Sequence, residues 1–222
     1  MKKILPVLFV LFCIAGCKKE KQGNYSETIT KGEKWGIKIG SSHAEVYTQL
    51  QKAGPSLDFQ HVAIFGHKPY SSPESLGQLL PYYYALTIYN NTGTLDRVML
   101  FFSGDKVQQI ATGGGLTKPV STWPENVADD TAIKVDDPVS GLTAKLIKIH
   151  QLPAYAGYGF ILSDKPLNKP YDPDMNNHDD WQFGFSDFVS ASISGSSTVT
   201  LHFRAGKLES IDHDYREGQI FN

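Results

Sequence analysis

Seventeen residues, Ile37 to Ala53 (IKIGSSHAEVYTQLQKA), recur ninety-six positions later as IKVDDPVSGLTAKLIKI, Ile133 to Ile149. Four positions are identical, and Ile39 and Val46 of the first copy meet Val135 and Leu142 of the second. The shared pattern constrains the fold more than the identities do. Each copy gives a short extended entry, a polar cluster and an amphipathic helix. In the first, Ser42 and Glu45 have capping-box spacing, and Val46, Leu50 and Ala53 share one helical face. In the second, Asp137 is placed to cap the helix, with Pro138 at the first helical position, where its missing N–H costs nothing. Leu142, Leu146 and Ile149 repeat the apolar stripe.

A second match follows each helix. Val98–Ile110 (VMLFFSGDKVQQI) aligns with Val199–Ile211 (VTLHFRAGKLESI) at an offset of 101. Both alternate apolar and polar residues, the period of a half-buried strand, around a Gly-containing turn. The two matches together predict an α+β chain of two similar units, each a helix packed on antiparallel strands. Whether the strands form one continuous sheet is open at this level. The expected boundaries are 35–112 for the first unit, 113–130 for a Gly- and Pro-containing linker, and 131–222 for the second. Gly54-Pro55 is the expected stop of the first helix. Tyr82 to Tyr89 reads as a strand, and Asn90-Asn91-Thr92-Gly93 as a hairpin turn. Trp181, Phe183 and Phe185 alternate into a strand, a hairpin turn is placed at Ser194–Ser197, and Asp212 to Asn222 reads as a polar tail.

The N-terminus carries an address. Lys2 and Lys3 precede an apolar run, Ile4 to Ile14, too short to span a bilayer comfortably. It ends in Ile14-Ala15-Gly16-Cys17, which resembles the lipobox of bacterial lipoproteins. The resemblance implies that residues 1–16 are a signal peptide cleaved after Gly16. It also implies that Cys17 takes diacylglycerol on its sulfur and an acyl chain such as palmitate on its new amino group. Cys13 would leave with the leader, so no disulfide is expected and packing must supply the stability. Residues 17–34, rich in Lys, Glu, Gly and hydroxyl side chains, read as a lipidated tether. Lys18, rather than Asp, after the cysteine implies by the same resemblance delivery to the outer membrane of a Gram-negative bacterium. The net charge of −2, without a basic stripe, gives nothing to favour nucleic acid.

Few motifs carry chemistry. Asp172-x-Asp174-x-Asn176 resembles the opening of a calcium loop, in which alternate oxygens face a hard cation. Asn177 stands where that loop needs its turn glycine, and Phe183 where it needs a bidentate Glu. A solvated loop is therefore expected and no cofactor is assigned, calcium being the one candidate. His178-Asp179-Asp180 and Asp212-His213-Asp214 lack the spacing of a zinc site; these histidines and His202 are expected at the surface. There is no Gly-x-Ser-x-Gly, and no catalytic residue is assigned. Tyr82, Tyr83 and Tyr84 place rings on both faces of their expected strand. Tyr83 and Tyr89 are thus candidate surface rings for a sugar or a protein.

Gly40, Ser42, Glu45, Val46 and Leu50 form a GxSxxEVxxxL pattern after a lipobox and tether and before antiparallel strands. This resembles the SmpA/OmlA-like outer-membrane assembly lipoproteins and the tandem α+β fold of β-lactamase-inhibitor-like proteins. The resemblance implies a non-enzymatic protein-binding or scaffold module, held to the membrane by its lipid and meeting a protein partner in the envelope or periplasm. The rival expectations are an envelope hydrolase or metal-dependent enzyme using the His/Asp loops, and a glycan-binding lipoprotein using exposed tyrosines.

Overall fold

The computed structural model describes residues 23–66, 69–90, 96–113 and 118–219. Cys17 and its leader lie outside them, as do Asn91 to Gly93 of the expected hairpin turn. In chain order the strands are β1 (Tyr25–Ile29), β2 (Glu33–Lys34), β3 (Ile37–Lys38), β4 (His61–Ile64), β5 (Ala85–Asn90), β6 (Arg97–Ser103), β7 (Lys106–Thr112) and β8 (Lys118–Val120). They continue with β9 (Thr122–Trp123), β10 (Ile133–Lys134), β11 (Tyr158–Leu162), β12 (Lys165–Pro166), β13 (Asp180–Ser190), β14 (Ile193–Arg204) and β15 (Lys207–Gln219). Helix α1 (His43–Leu57) precedes β4, and α2 (Val139–His150) follows β10. The class is α+β, as expected. The main strands make two sheets rather than one, in the orders β1-β15-β14-β13-β4-β12 and β11-β5-β6-β7-β8.

Both helices form where the repeat places them, with differences at their ends. Ser42 and Glu45 close the capping box of α1 reciprocally. The helix runs through Gly54-Pro55, its expected stop, and ends at Leu57 with Asp58 in the left-handed region (φ 57°). Pro55 falls in the last turn, where one lost backbone bond is tolerable. Helix α2 takes Pro138, not Asp137, as its N-cap. The Asp137 carboxylate is used instead by the Lys134 N–H (2.7 Å) and the Lys145 ammonium (2.6 Å).

The packing is nested. One hydrophobic cluster is drawn from residues 76–162 alone: Leu86, Ile88, Val98, Leu100 and Ile110 of the sheet meet Leu142, Leu146 and Ile149 of α2. The other comes from both ends of the chain: Val46 and Leu50 of α1 meet Trp181, Phe183, Val199, Leu201 and Ile211. The clusters therefore cut across the expected 35–112 and 131–222 boundaries. Helix α1 packs on the second hairpin, β14–β15, and α2 on the first, β6–β7. An amphipathic stripe specifies a face to bury, not the sheet that buries it.

The backbone frames of the two helix–hairpin contacts correspond residue for residue. Gly40 N–H donates to Leu208 O (2.8 Å), and Leu208 N–H to Ser41 O (2.8 Å). At positions related by the offsets of 96 and 101, Asp136 N–H donates to Val107 O (2.8 Å) and Val107 N–H to Asp137 O (2.9 Å). Ser42 pairs with Lys207 as Pro138 pairs with Lys106. The ladder of each hairpin breaks at the equivalent place, between His202 and Phe203 and between Phe101 and Phe102. Asp136 stands where the first copy has Gly40, yet both adopt positive φ (71° and 86°). Asp tolerates that region better than most side chains.

Four segments read as tether, linker, turn or tail form strands. Tyr25–Ile29, within the expected tether, is the edge strand β1 paired along β15. Its polar residues Ser26, Glu27 and Thr28 concealed a strand with only one face against protein. In the expected linker, β8 joins the β7 edge and β9 pairs with β10, burying Trp123. The expected turn at Ser194–Ser197 lies inside β14, and Asp212–Gln219 of the expected tail extends β15.

Leu50 is fully buried in the outer cluster. Leu50→Ala should cost about 2–5 kcal/mol of stability. Hydrogen exchange checks the pairing: amides of Val199–Ile211 should lose protection first, and those of Val98–Ile110 should keep theirs.

Candidate functional site

The two clusters meet beside residues 64–66 and 69–70 and beside residues 162–166, where the chain passes from one to the other. The second crossing contains β12, which pairs with β4. Lys165, at its head, is fully buried. Its ammonium donates to Tyr82 O (2.9 Å) and lies 5.1 Å from the ring centroid of Tyr47, 5.8 Å from Tyr82 and 5.7 Å from Tyr83. Tyr47 belongs to the outer cluster and Tyr83 to the inner one. One cation thus sits among rings from both, an arrangement that offsets part of its desolvation. Burial still drives the Lys165 pKa down to about 7, opposed by the negative charge of Asp172 and helped by Lys169.

Asp172 is also fully buried. One carboxylate oxygen accepts from the Tyr83 hydroxyl (2.8 Å) and the other from the Asp174 N–H (3.0 Å), capping a 3-10 turn over Pro173–Asn177. Burial, then the charge of Asp172, pushes the Tyr83 phenol far up, so it remains a donor. Tyr47 is also pushed up, chiefly by burial. Its hydroxyl lies 2.6 Å from Pro166 O and 2.9 Å from Lys169 O.

These contacts redefine several candidates. Tyr83 is 1% exposed and is a seam group, not a surface ring, because Tyr82 to Tyr84 precede the strand instead of alternating within it. Tyr89 is half-buried, its ring lying over Gly159, where a Cβ would meet it at 2.9 Å. The two tyrosines do not form one patch. The oxygens of Asp172, Asp174 and Asn176 do not converge either. Asp172 faces Tyr83, Asp174 accepts from Asn177 (3.0 Å), and Asn176 accepts from Tyr171 (2.6 Å). Among the described residues no three His, Cys, Asp or Glu side chains are grouped to hold a metal ion.

The histidines divide. His202 is half-exposed on the outer face of its sheet, 2.7 Å from Asp180 and 3.0 Å from Asp212. Burial acts to lower its pKa, but the two carboxylates outweigh it and the net shift is upward. His213, expected at the surface, is 3% exposed. It bridges Ser197 (3.0 Å) and Glu27 (3.2 Å) across β14, β15 and β1. These are the distances of a nucleophile, base and orienting acid. However, Ser197 is 2% exposed and its backbone is held in the ladder between β13 and β15. The set leaves no approach for a substrate and serves to keep buried polar groups bonded. The unread register of β1 hid it from the sequence.

A cleft of about 460 Å³ opens beside the seam, lined by Gln51, Asp58, Phe59, Gln60, Tyr84, Leu167 and Asn168. Gln51 donates to Leu167 O (2.7 Å), joining α1 to the crossing. The Lys169 ammonium stands 5.7 Å over the Tyr84 ring. A smaller hollow of about 170 Å³, lined by Tyr83, Phe102, Asp105, Ser140 and Lys169 among others, lies on the inner-cluster side. Compared with family models, curated proteins and solved structures, the chain finds no match in any of the three.

Folded Lys165 titrates near 7, whereas an unfolded lysine titrates near 10.4. Between those values the unfolded chain holds the extra proton. The Lys165 contribution therefore makes stability rise with pH, by at most about 1.4 kcal/mol per pH unit. Lys165→Met should be more stable than wild type at pH 6–7 and should lose this slope. Urea unfolding of both proteins from pH 6 to 9.5, below tyrosine ionisation, checks it.

Proposed function

We propose that this chain is a lipid-anchored lipoprotein of the cell envelope that binds a protein partner without catalysing a reaction. The anchor rests on the lipobox-like Ile14-Ala15-Gly16-Cys17, and Lys18 supports the outer membrane as its destination. The observation that carries the binding half is the cleft beside the seam. Its lining brings amides (Gln51, Gln60, Asn168), a carboxylate (Asp58) and an aromatic face (Tyr84) to one opening. Such a lining suits the backbone and side chains of an extended polar segment. Lys165 is fully buried, Ser197 and His213 lie inside the sheet, and the half-exposed His202 has both ring nitrogens engaged by Asp180 and Asp212.

We also propose that the chain is one helix–hairpin unit used twice, with the helices exchanged between hairpins. The matched backbone frames, ladder breaks and positive-φ positions support this reading. The partner site draws on distant parts of the chain: α1 and residues 58–60, Tyr84 before β5, and Leu167 and Asn168 after β12.

Two measurements test the function. Cys17→Ser should move the protein from the membrane to the soluble fraction; retention on membranes after leader removal contradicts the anchor. A photo-crosslinking residue at Asn168 should capture one envelope protein in cells, and Tyr84→Ala should reduce that capture. Capture of glycan in place of protein favours the glycan-binding rival.

A further inference from the structure

Among the described residues Phe65 and Ile161 are each exposed singly, whereas Phe188 and Val189 are exposed side by side. Phe188 is 80% exposed and its neighbour Val189 44%. They sit at the end of β13, just before the chain turns into β14. The sheet here outruns its own core. Phe185 and Val199 belong to the outer cluster, whereas residues 186–189 are exposed one after another. A phenylalanine held in water at the tip of a projecting hairpin has no packing role in the fold.

The position of that tip relative to the N-terminus gives it one. Gly23 N–H donates to the Glu217 carboxylate (3.2 Å), and Glu217 N–H to the Asn24 side-chain oxygen (2.8 Å). Glu217 pairs with Gly195, and Gly195 with Asp187. The N-terminal segment therefore leaves the sheet in the row next to Phe188, at the same end as the hairpin tip. Three strand spacings separate β1 from β13, roughly 14 Å. Only five residues separate Cys17 from Gly23, a reach of roughly 20 Å when extended. A lipid on Cys17 would hold this end of the sheet against the bilayer. The tether expected from the sequence spans residues 17–34; the docking of β1 along β15 shortens it.

We infer that the β13–β14 tip, through Phe188 and Val189, inserts into the lipid–water interface of the membrane that holds the anchor. This inference rests on the lipid-anchor reading. The charges in the adjoining rows, Asp187, Arg216 and Glu217, are mixed with acidic excess. The contact is therefore apolar and needs no anionic lipid. It fixes the orientation: the long axis of β14 stands away from the membrane. Arg204, at the far end of β14's twelve residues, is carried roughly 35–40 Å from the surface.

The test uses the full-length lipoprotein, purified from membranes and reconstituted into phosphatidylcholine vesicles. With Cys17 acylated and Cys13 removed, an added cysteine is the sole thiol. Ser190→Cys places an environment-sensitive dye at the tip, and Arg204→Cys places it at the far end. At the tip, emission should shift to the blue and be quenched by doxyl-labelled phospholipid; at Arg204→Cys neither should occur. Adding Phe188→Ser and Val189→Ser should abolish the quenching at the tip. A tip as wet as the far end, on protein that floats with the vesicles, overturns the inference and leaves the anchor standing. A blue shift without doxyl quenching means a protein contact and also overturns it. Protein that fails to float overturns the anchor reading, and this inference with it.

Discussion

The fold depends on a crossed pairing of backbone. The entry to each helix is hydrogen-bonded to the hairpin that follows the other helix in the chain, Gly40 and Ser41 to Leu208, and Asp136 and Asp137 to Val107. Everything else follows from that crossing. The inner cluster is continuous in sequence, the outer one is closed by both ends of the chain, and two segments must pass between them. The outer helix has no sheet until the last strands have joined, so its contacts span more than 150 residues.

The second crossing concentrates the polar cost of this arrangement. Lys165 and Asp172 are both buried where the clusters abut, and tyrosines from each side surround or bond them. Buried ions of this kind add little net stability but penalise loose or shifted packing, because a displaced charge loses its partners. The seam groups thus fix how the clusters sit, and the cleft lined by Tyr84, Asn168 and the end of α1 takes its shape from them.

Much of this was legible locally. The apolar stripes of both helices, the Ser42–Glu45 capping box and the alternation through Val98–Ile110 and Val199–Ile211 all describe what forms. The partners were not legible, because periodicity reports which face is buried and says nothing of what buries it. Tyr83 looked like a surface ring because its partner, Asp172, lies 89 residues away. Asp172 in turn looked like a solvated loop acid. Glu27 read as tether because an edge strand with one solvent face can be almost wholly polar, and without β1 the Ser197–His213–Glu27 set is invisible.

Cutting the chain between residues 113 and 118 tests the crossed pairing most directly, since the cut separates each helix from the hairpin it packs on. The two pieces, 23–113 and 118–219, would be produced separately and mixed, with amide-dispersion NMR as the readout. Neither piece should give a folded spectrum alone, and an equimolar mixture should. A dispersed, protected spectrum from either piece by itself would contradict the crossed pairing.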